Sequence, residues 1–94
     1  MARRTLRLGE IRIFKMYYVY ILLNQSKTKT YTGVTDNINK RLTEHNLGKV
    51  KSSRPYRPYK IIHTESFITL SEARQREKFY KSTAGRRQLK KMFF

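Results

Sequence analysis

The chain has no cysteine. That excludes a disulfide framework and a thiolate metal site, and it fits a reducing cytosol. Long apolar runs are missing too. The longest, Tyr17 to Leu23, is far too short to cross a bilayer, and no basic helix carries a bulky apolar face, so no membrane partner is expected. Acidic residues are scarce: six Asp and Glu stand against 22 Lys and Arg, for a formal charge of +16 on 94 residues. A chain so charged repels itself unless it meets a polyanion, and nucleic acid is the natural one. At this length a single small domain is expected, burying about 60% of its unfolded surface.

What is present is unevenly placed. Met1 to Lys15 is Arg-rich but lacks the apolar stretch of a secretory signal. It is open to three readings: an organellar presequence, a flexible basic arm, or an over-extended reading frame. The domain is expected to begin at Met16. Removing residues 1–15 takes away five basic residues and one acidic one and leaves +12, so the polyanion argument stands without them.

From Met16 onward the pattern predicts an α+β domain, a small three-stranded antiparallel sheet flanked by helices in the order ββαβαα. Tyr17 to Leu23 reads as a buried strand, Asn24 to Thr28 as a hairpin loop, and Lys29 to Val34 as the second strand, turning at Gly33. Asp36 is the expected N-cap of a helix that ends near Leu47 at Gly48. Lys49 to Tyr59, with the doubled Arg-Pro-Tyr, reads as an extended loop leading to a third strand from Lys60 to Phe67. Thr69 and Glu72 form a capping box for a helix running to about Ser82, and Thr83 to Met92 is a shorter basic helix.

Several side chains are placed where they can carry chemistry. Glu77 falls on the stripe of Leu70, Ala73 and Tyr80, so a carboxylate stands where an apolar residue is expected. It needs a cation, a metal or partial solvent access; pairing with Lys81 or Arg74 is the plain alternative. Arg41 and His45 lie four apart and project from one helical face, with Ile38 and Leu42 nearby to hold that helix on the sheet. The guanidinium fork suits phosphate oxygens, although an isolated arginine is commonly a solvated charge and an isolated histidine a structural hydrogen-bonder. Tyr20 and Tyr31 sit eleven residues apart on neighbouring strands, where aromatics most often pack in cores. For substrate binding, Arg54, Arg57, Tyr56 and Tyr59 offer phosphate pairing and base stacking, with Lys40, Arg86, Arg87 and Lys90 adding charge. The alternative is that Tyr56 and Tyr59 cover the edge of the core.

The order Tyr17-Tyr18-Val19-Tyr20-Ile21, Tyr31-Thr32-Gly33, Arg41-Leu42-x-Glu44-His45-Asn46 and Arg76-Glu77-Lys78 resembles the GIY-YIG nuclease superfamily. The likeness is nearest to small stand-alone proteins related to the UvrC N-terminal nuclease module, and it runs from Tyr17 to about Lys91. It implies an endonuclease in which water attacks phosphorus near a tyrosine. By the resemblance Tyr20 and Tyr31 are the tyrosines, Arg41 binds phosphate, His45 aids proton transfer or phosphate binding, and Glu77 holds a divalent ion, Mg2+ or Mn2+. Val19 and Thr32 depart from the name motif without supplying a reacting group, and Val34 stands where some relatives carry lysine.

The resemblance and the charge together imply a metal-dependent endonuclease, cytoplasmic, acting on DNA in preference to RNA and selecting structure rather than sequence, as in DNA repair. The alternative is a non-catalytic DNA- or RNA-binding module, ribosome-associated, using the same basic surface. A weaker alternative is an interaction domain paired through Met92-Phe93-Phe94.

Overall fold

A computed structural model describes residues 15–94. The expectations for the basic N-terminal extension, save its last residue, lie outside the described residues.

Branched and aromatic residues build β1 (Tyr17–Asn24), which is the central strand of the sheet. It pairs antiparallel with β2 (Thr30–Thr35) on one side and with β3 (Tyr59–Phe67) on the other, giving the order β2-β1-β3. Three helices follow among the described residues: α1 (Ile38–Asn46) between β2 and β3, then α2 (Leu70–Lys81) and α3 (Thr83–Phe93). The expected α+β class and the order ββαβαα are both present.

Because side chains alternate along a strand, β1 sends Val19 and Ile21 to one face and Tyr20 and Leu22 to the other. Val19 and Ile21 form a core with Ala73 and Tyr80 of α2 and Leu89 of α3. On the opposite face Tyr20 and Leu22 pack with Tyr59, Tyr31, Leu42 and Ile61. The sheet is therefore covered on both sides, with α1 held on the Tyr20 face through Leu42.

Local details correct the sequence reading. Asn37, rather than Asp36, caps α1: its backbone is extended and its Oδ1 accepts from the Lys40 N–H at 3.1 Å. Asp36 instead pairs with Lys15 at 2.9 Å. Gly48 takes φ 80 just after the helix, as a stop of this kind requires. The hairpin loop is organised by Asn24, whose Oδ1 accepts from the N–H groups of Thr28 and Lys29 at 2.9 Å each. The segment read as extended contains a single turn of 3-10 helix at Arg54–Tyr56. Leu70 is not core; it stays 37% exposed at the start of α2. The capping box is present, with Thr69 Oγ1 accepting from the Glu72 N–H at 3.2 Å and donating to its carboxylate at 2.9 Å. Ser82 ends α2 and caps α3 through the Gly85 N–H at 3.2 Å.

Candidate active site

The site begins with a register match. Tyr20 lies opposite Gly33 across the β1–β2 ladder. The Tyr20 ring folds over that glycine so closely that a Cβ there would come within 2.6 Å of Tyr20 Cζ and nearer still to its hydroxyl. Gly33 thus leaves the space that aims the phenol at α1. Across that space the Tyr20 hydroxyl meets His45 Nε2 at 2.9 Å and accepts from Arg41 Nε at 3.3 Å. The four-residue spacing of Arg41 and His45 places both on the sheet-facing side of α1.

His45 is fully buried and held at its other nitrogen, where Nδ1 lies 2.6 Å from Ser53 Oγ. Ser53, itself buried, donates onward to the Val50 carbonyl at 3.4 Å. This fixes the tautomer by hydrogen balance. With the proton on Nδ1, the chain runs His45 to Ser53 to Val50, and Nε2 accepts from the Tyr20 hydroxyl. With the proton on Nε2, the Tyr20 hydrogen loses its acceptor, since the phenol oxygen is then surrounded by donors. The first arrangement satisfies every group. Burial, reinforced by the Arg41 charge, lowers the His45 pKa from 6.5 to about 4, so the ring is neutral and Nε2 is free to accept.

Burial pushes the Tyr20 phenol above its ordinary value; the Arg41 hydrogen bond opposes the rise, and the charges of Tyr31 and Glu77 add to it. Tyr20 therefore rests as a neutral phenol. Tyr31 packs its ring 4.6 Å from His45, edge-on, and 6.4 Å from Tyr20, stacked. Among the described residues its hydroxyl has no side-chain hydrogen-bond partner. Arg41 also reaches Glu44 Oε1 at 3.1 Å, which holds the guanidinium at the rim of the site.

Tyr20, Tyr31, Arg41 and His45 are thus brought together. Glu77 stands on α2, which packs against β1 and β2. Its charge is felt at Tyr20. Its side chain is only 19% exposed and pairs with Lys81 at 3.2 Å, so the plain alternative of the sequence reading is also present. Among the described residues no group of three or more His, Cys, Asp or Glu forms a closed cage for a metal ion. A single half-buried carboxylate suits a hard ion such as magnesium, which keeps several waters and takes phosphate oxygens from its substrate.

The predicted nucleic-acid-binding residues are spread more widely. Lys40 is exposed on α1, beside a depression lined also by Arg41 and Glu44. Arg54 opens the 3-10 turn and Arg57 follows it, and the Arg57 guanidinium donates to the Arg54 carbonyl at 2.9 Å. Arg86, Arg87 and Lys90 are exposed on α3. Tyr59 does not offer a stacking face: it is buried, and its hydroxyl donates to the Ser53 carbonyl at 2.9 Å. Tyr56 is exposed, with Lys29 Nζ 5.0 Å from its ring. The residues that sequence reasoning missed are Ser53 and Glu44. Ser53 sits in an aperiodic loop, where nothing in its spacing from His45 marks it as a partner; Glu44, three residues from Arg41 on one helix, was within reach of the spacing rule.

Comparison with known proteins identifies the family. A model of the GIY-YIG catalytic domain matches residues 16–91. A UPF0213 protein of Syntrophus aciditrophicus is 50% identical over 62 residues, covering 64% of this chain and 70% of that one. A UPF0213 protein of Natronomonas pharaonis is 42% identical over 67 residues, covering 70% and 78%. The solution NMR structure of a UPF0213 protein from Bacillus halodurans superposes with a TM-score of 0.50 at 31% identity, covering 83% of this chain and 85% of that one.

Proposed function

The chain belongs to the GIY-YIG catalytic-domain family, a family of nucleases that generally use divalent metals, and from that premise we propose that it is a metal-dependent endonuclease. It hydrolyses phosphodiester bonds in DNA and selects structure rather than sequence. The observation that carries this reading is the chain of contacts from Arg41 through Tyr20 and His45 to Ser53.

Arg41 binds the scissile phosphate, exchanging its part-buried contact with Glu44 for two phosphate oxygens. Tyr20 accepts the proton of the attacking water while passing its own to His45 Nε2. A neutral histidine and a neutral tyrosine make this a concerted transfer rather than attack by a standing phenolate. The incoming phosphate anion raises the pKa of His45 toward the range where it takes the proton. The bond from the water oxygen to phosphorus forms as the bond to the leaving ester oxygen breaks. Tyr31 closes the edge of the pocket and confines the water. Glu77 would hold the metal ion, releasing Lys81, and the ion when bound offsets the charge of the leaving oxygen. Among the described residues Tyr20, unlike Tyr31, has a side-chain acceptor for its proton, which favours it as the group that takes the proton from water.

Phosphate contacts from the many lysines and arginines hold the backbone without reading bases, which supports weak sequence preference. The test is incubation with flaps, junctions, single strands and duplexes of DNA and RNA in magnesium, manganese or EDTA. Metal-dependent cuts at structural transitions in DNA are expected. Binding to all of them with no cut under any condition would favour the non-catalytic alternative.

A further inference from the structure

Beside the catalytic face lies a second feature, an open groove of about 730 Å³ between β2 with its hairpin loop and the C-terminal part of α3. Among the described residues the sheet order leaves β2 at an edge, so its outer backbone groups find no partner within the described sheet. Thr28, Thr30 and Thr32 line this wall. Lys27, Lys29, Lys81, Arg86 and Lys90 bring five cations to the groove, and among the described residues no acidic one lines it. Between the cations the lining is apolar, with Leu89 and Phe94; the Phe94 side belongs to a residue 61% exposed.

Cations beside an apolar, aromatic surface suit an unpaired strand, whose phosphates follow the charges while its bases leave water. A duplex keeps its bases stacked inside and offers such a surface little. The groove also adjoins the site already described. Tyr31 lines it and packs against His45, and Lys81 lines it and pairs with Glu77. An exposed sheet edge can also accept a strand from a second copy of the chain. Here five cations and a formal charge of +16 oppose that pairing.

We propose that the groove between β2 and α3 binds a single-stranded segment of nucleic acid continuous with the strand held at the catalytic face. The substrate is then a DNA with an unpaired stretch next to the cut. The position beside the cut rests on the nuclease reading, but occupancy of the groove does not need cleavage and is measured without it.

The experiment uses the isotope-labelled full chain in EDTA, titrated with an oligothymidylate of about eight nucleotides, within the span of ordinary single-strand sites. A blunt hairpin duplex serves as the comparison. Amide signals of Thr28, Thr30, Thr32, Leu89, Lys90 and Phe94 are expected to move with the oligothymidylate and much less with the duplex. The double variant Arg86→Glu/Lys90→Glu, both on the exposed side of α3, is expected to weaken single-strand binding by at least about tenfold and to reduce its salt slope by about 1.4. Equal weakening for both ligands overturns the proposal, as do groove signals that stay still while those of α1 and Arg54–Arg57 move. Groove signals that broaden with protein concentration alone point to a second copy and also overturn it. If the groove responds as expected and the protein cuts nothing, the binding site stands and the nuclease reading fails.

Discussion

Tyr20 and Gly33 show how much a single missing atom group can decide. Gly33 needs no unusual backbone angle; what it supplies is space, because the Tyr20 ring occupies the volume a Cβ would take. Gly33→Ala is expected to push the phenol off His45, with a stability cost of about 1–3 kcal/mol and a loss of activity beyond that cost. Matched unfolding curves and cleavage rates check it. Ser53→Ala removes the acceptor for His45 Nδ1–H and frees the ring to change tautomer. Nitrogen NMR of the His45 ring is expected to report Nδ1-protonated imidazole in the wild type and a mixture in the variant, with Ser53→Thr restoring the first. A wild-type ring protonated at Nε2 would reverse the proposed proton path. The same histidine carries a pH dependence with a defined sign. Its folded pKa of about 4 lies below the ordinary 6.5, so the unfolded chain binds the proton first. Stability from this residue is complete above about 6.5 and is lost as pH falls toward about 4. Thermal unfolding between pH 7 and 4 tests this, and replacing His45 with Gln should flatten that part of the profile.

At the scale of elements, the question is what holds α2, and with it Glu77, at the right rotation against the sheet. On β3, Glu65 accepts from Arg76 Nε at 2.8 Å and from the Tyr80 hydroxyl, and it meets His63 Nε2 at 2.7 Å. Burial works to raise the Glu65 carboxyl, but the hydrogen bonds from Tyr80, Arg76 and His63 outweigh it and hold the pKa below its usual value. Arg76 and Tyr80 flank Glu77 on α2, and we propose that this polar clamp fixes the rotation of the helix that carries Glu77. Glu65→Ala is expected to cost about 1–2 kcal/mol, since it leaves half-buried donors unmatched, and to reduce metal-dependent activity more than Lys78→Ala does. Equal activity losses in the two variants would deny the clamp a positioning role. The elements themselves were legible in the sequence because strand alternation and helix spacing are local signals. The caps were less so: Asp36 and Asn37 are both good capping residues, and only the backbone angles distinguish them. The clamp was invisible, because it joins β3 to α2 across the core.

At the scale of the molecule, the site was partly legible. Tyr20, Tyr31, Arg41 and His45 meet as the motif order implied, while Ser53 comes from a loop whose path no periodicity encodes. The groove at the β2 edge depends on which strand is central, and that too is tertiary information. Among the described residues no helix is long and apolar enough to cross a membrane. Among the described residues the core is built from residues between Tyr17 and Phe93, and we propose that the folding unit starts at Met16. A chain beginning there is expected to unfold at a temperature close to that of the full chain and to bind DNA with a smaller salt slope. Failure to fold would move the boundary toward the N-terminus.

The central claim is that these residues form a hydrolytic site rather than a basic surface alone. Its most direct test is to measure cleavage rate and DNA affinity side by side for the wild type, Arg41→Ala and Glu77→Ala in magnesium. Many other cations hold the backbone, so both variants are expected to bind with modest change while cleavage falls by at least about a hundredfold. For Arg41→Ala the salt slope should drop by about one phosphate contact. Cleavage by Glu77→Ala at the wild-type rate would contradict the account.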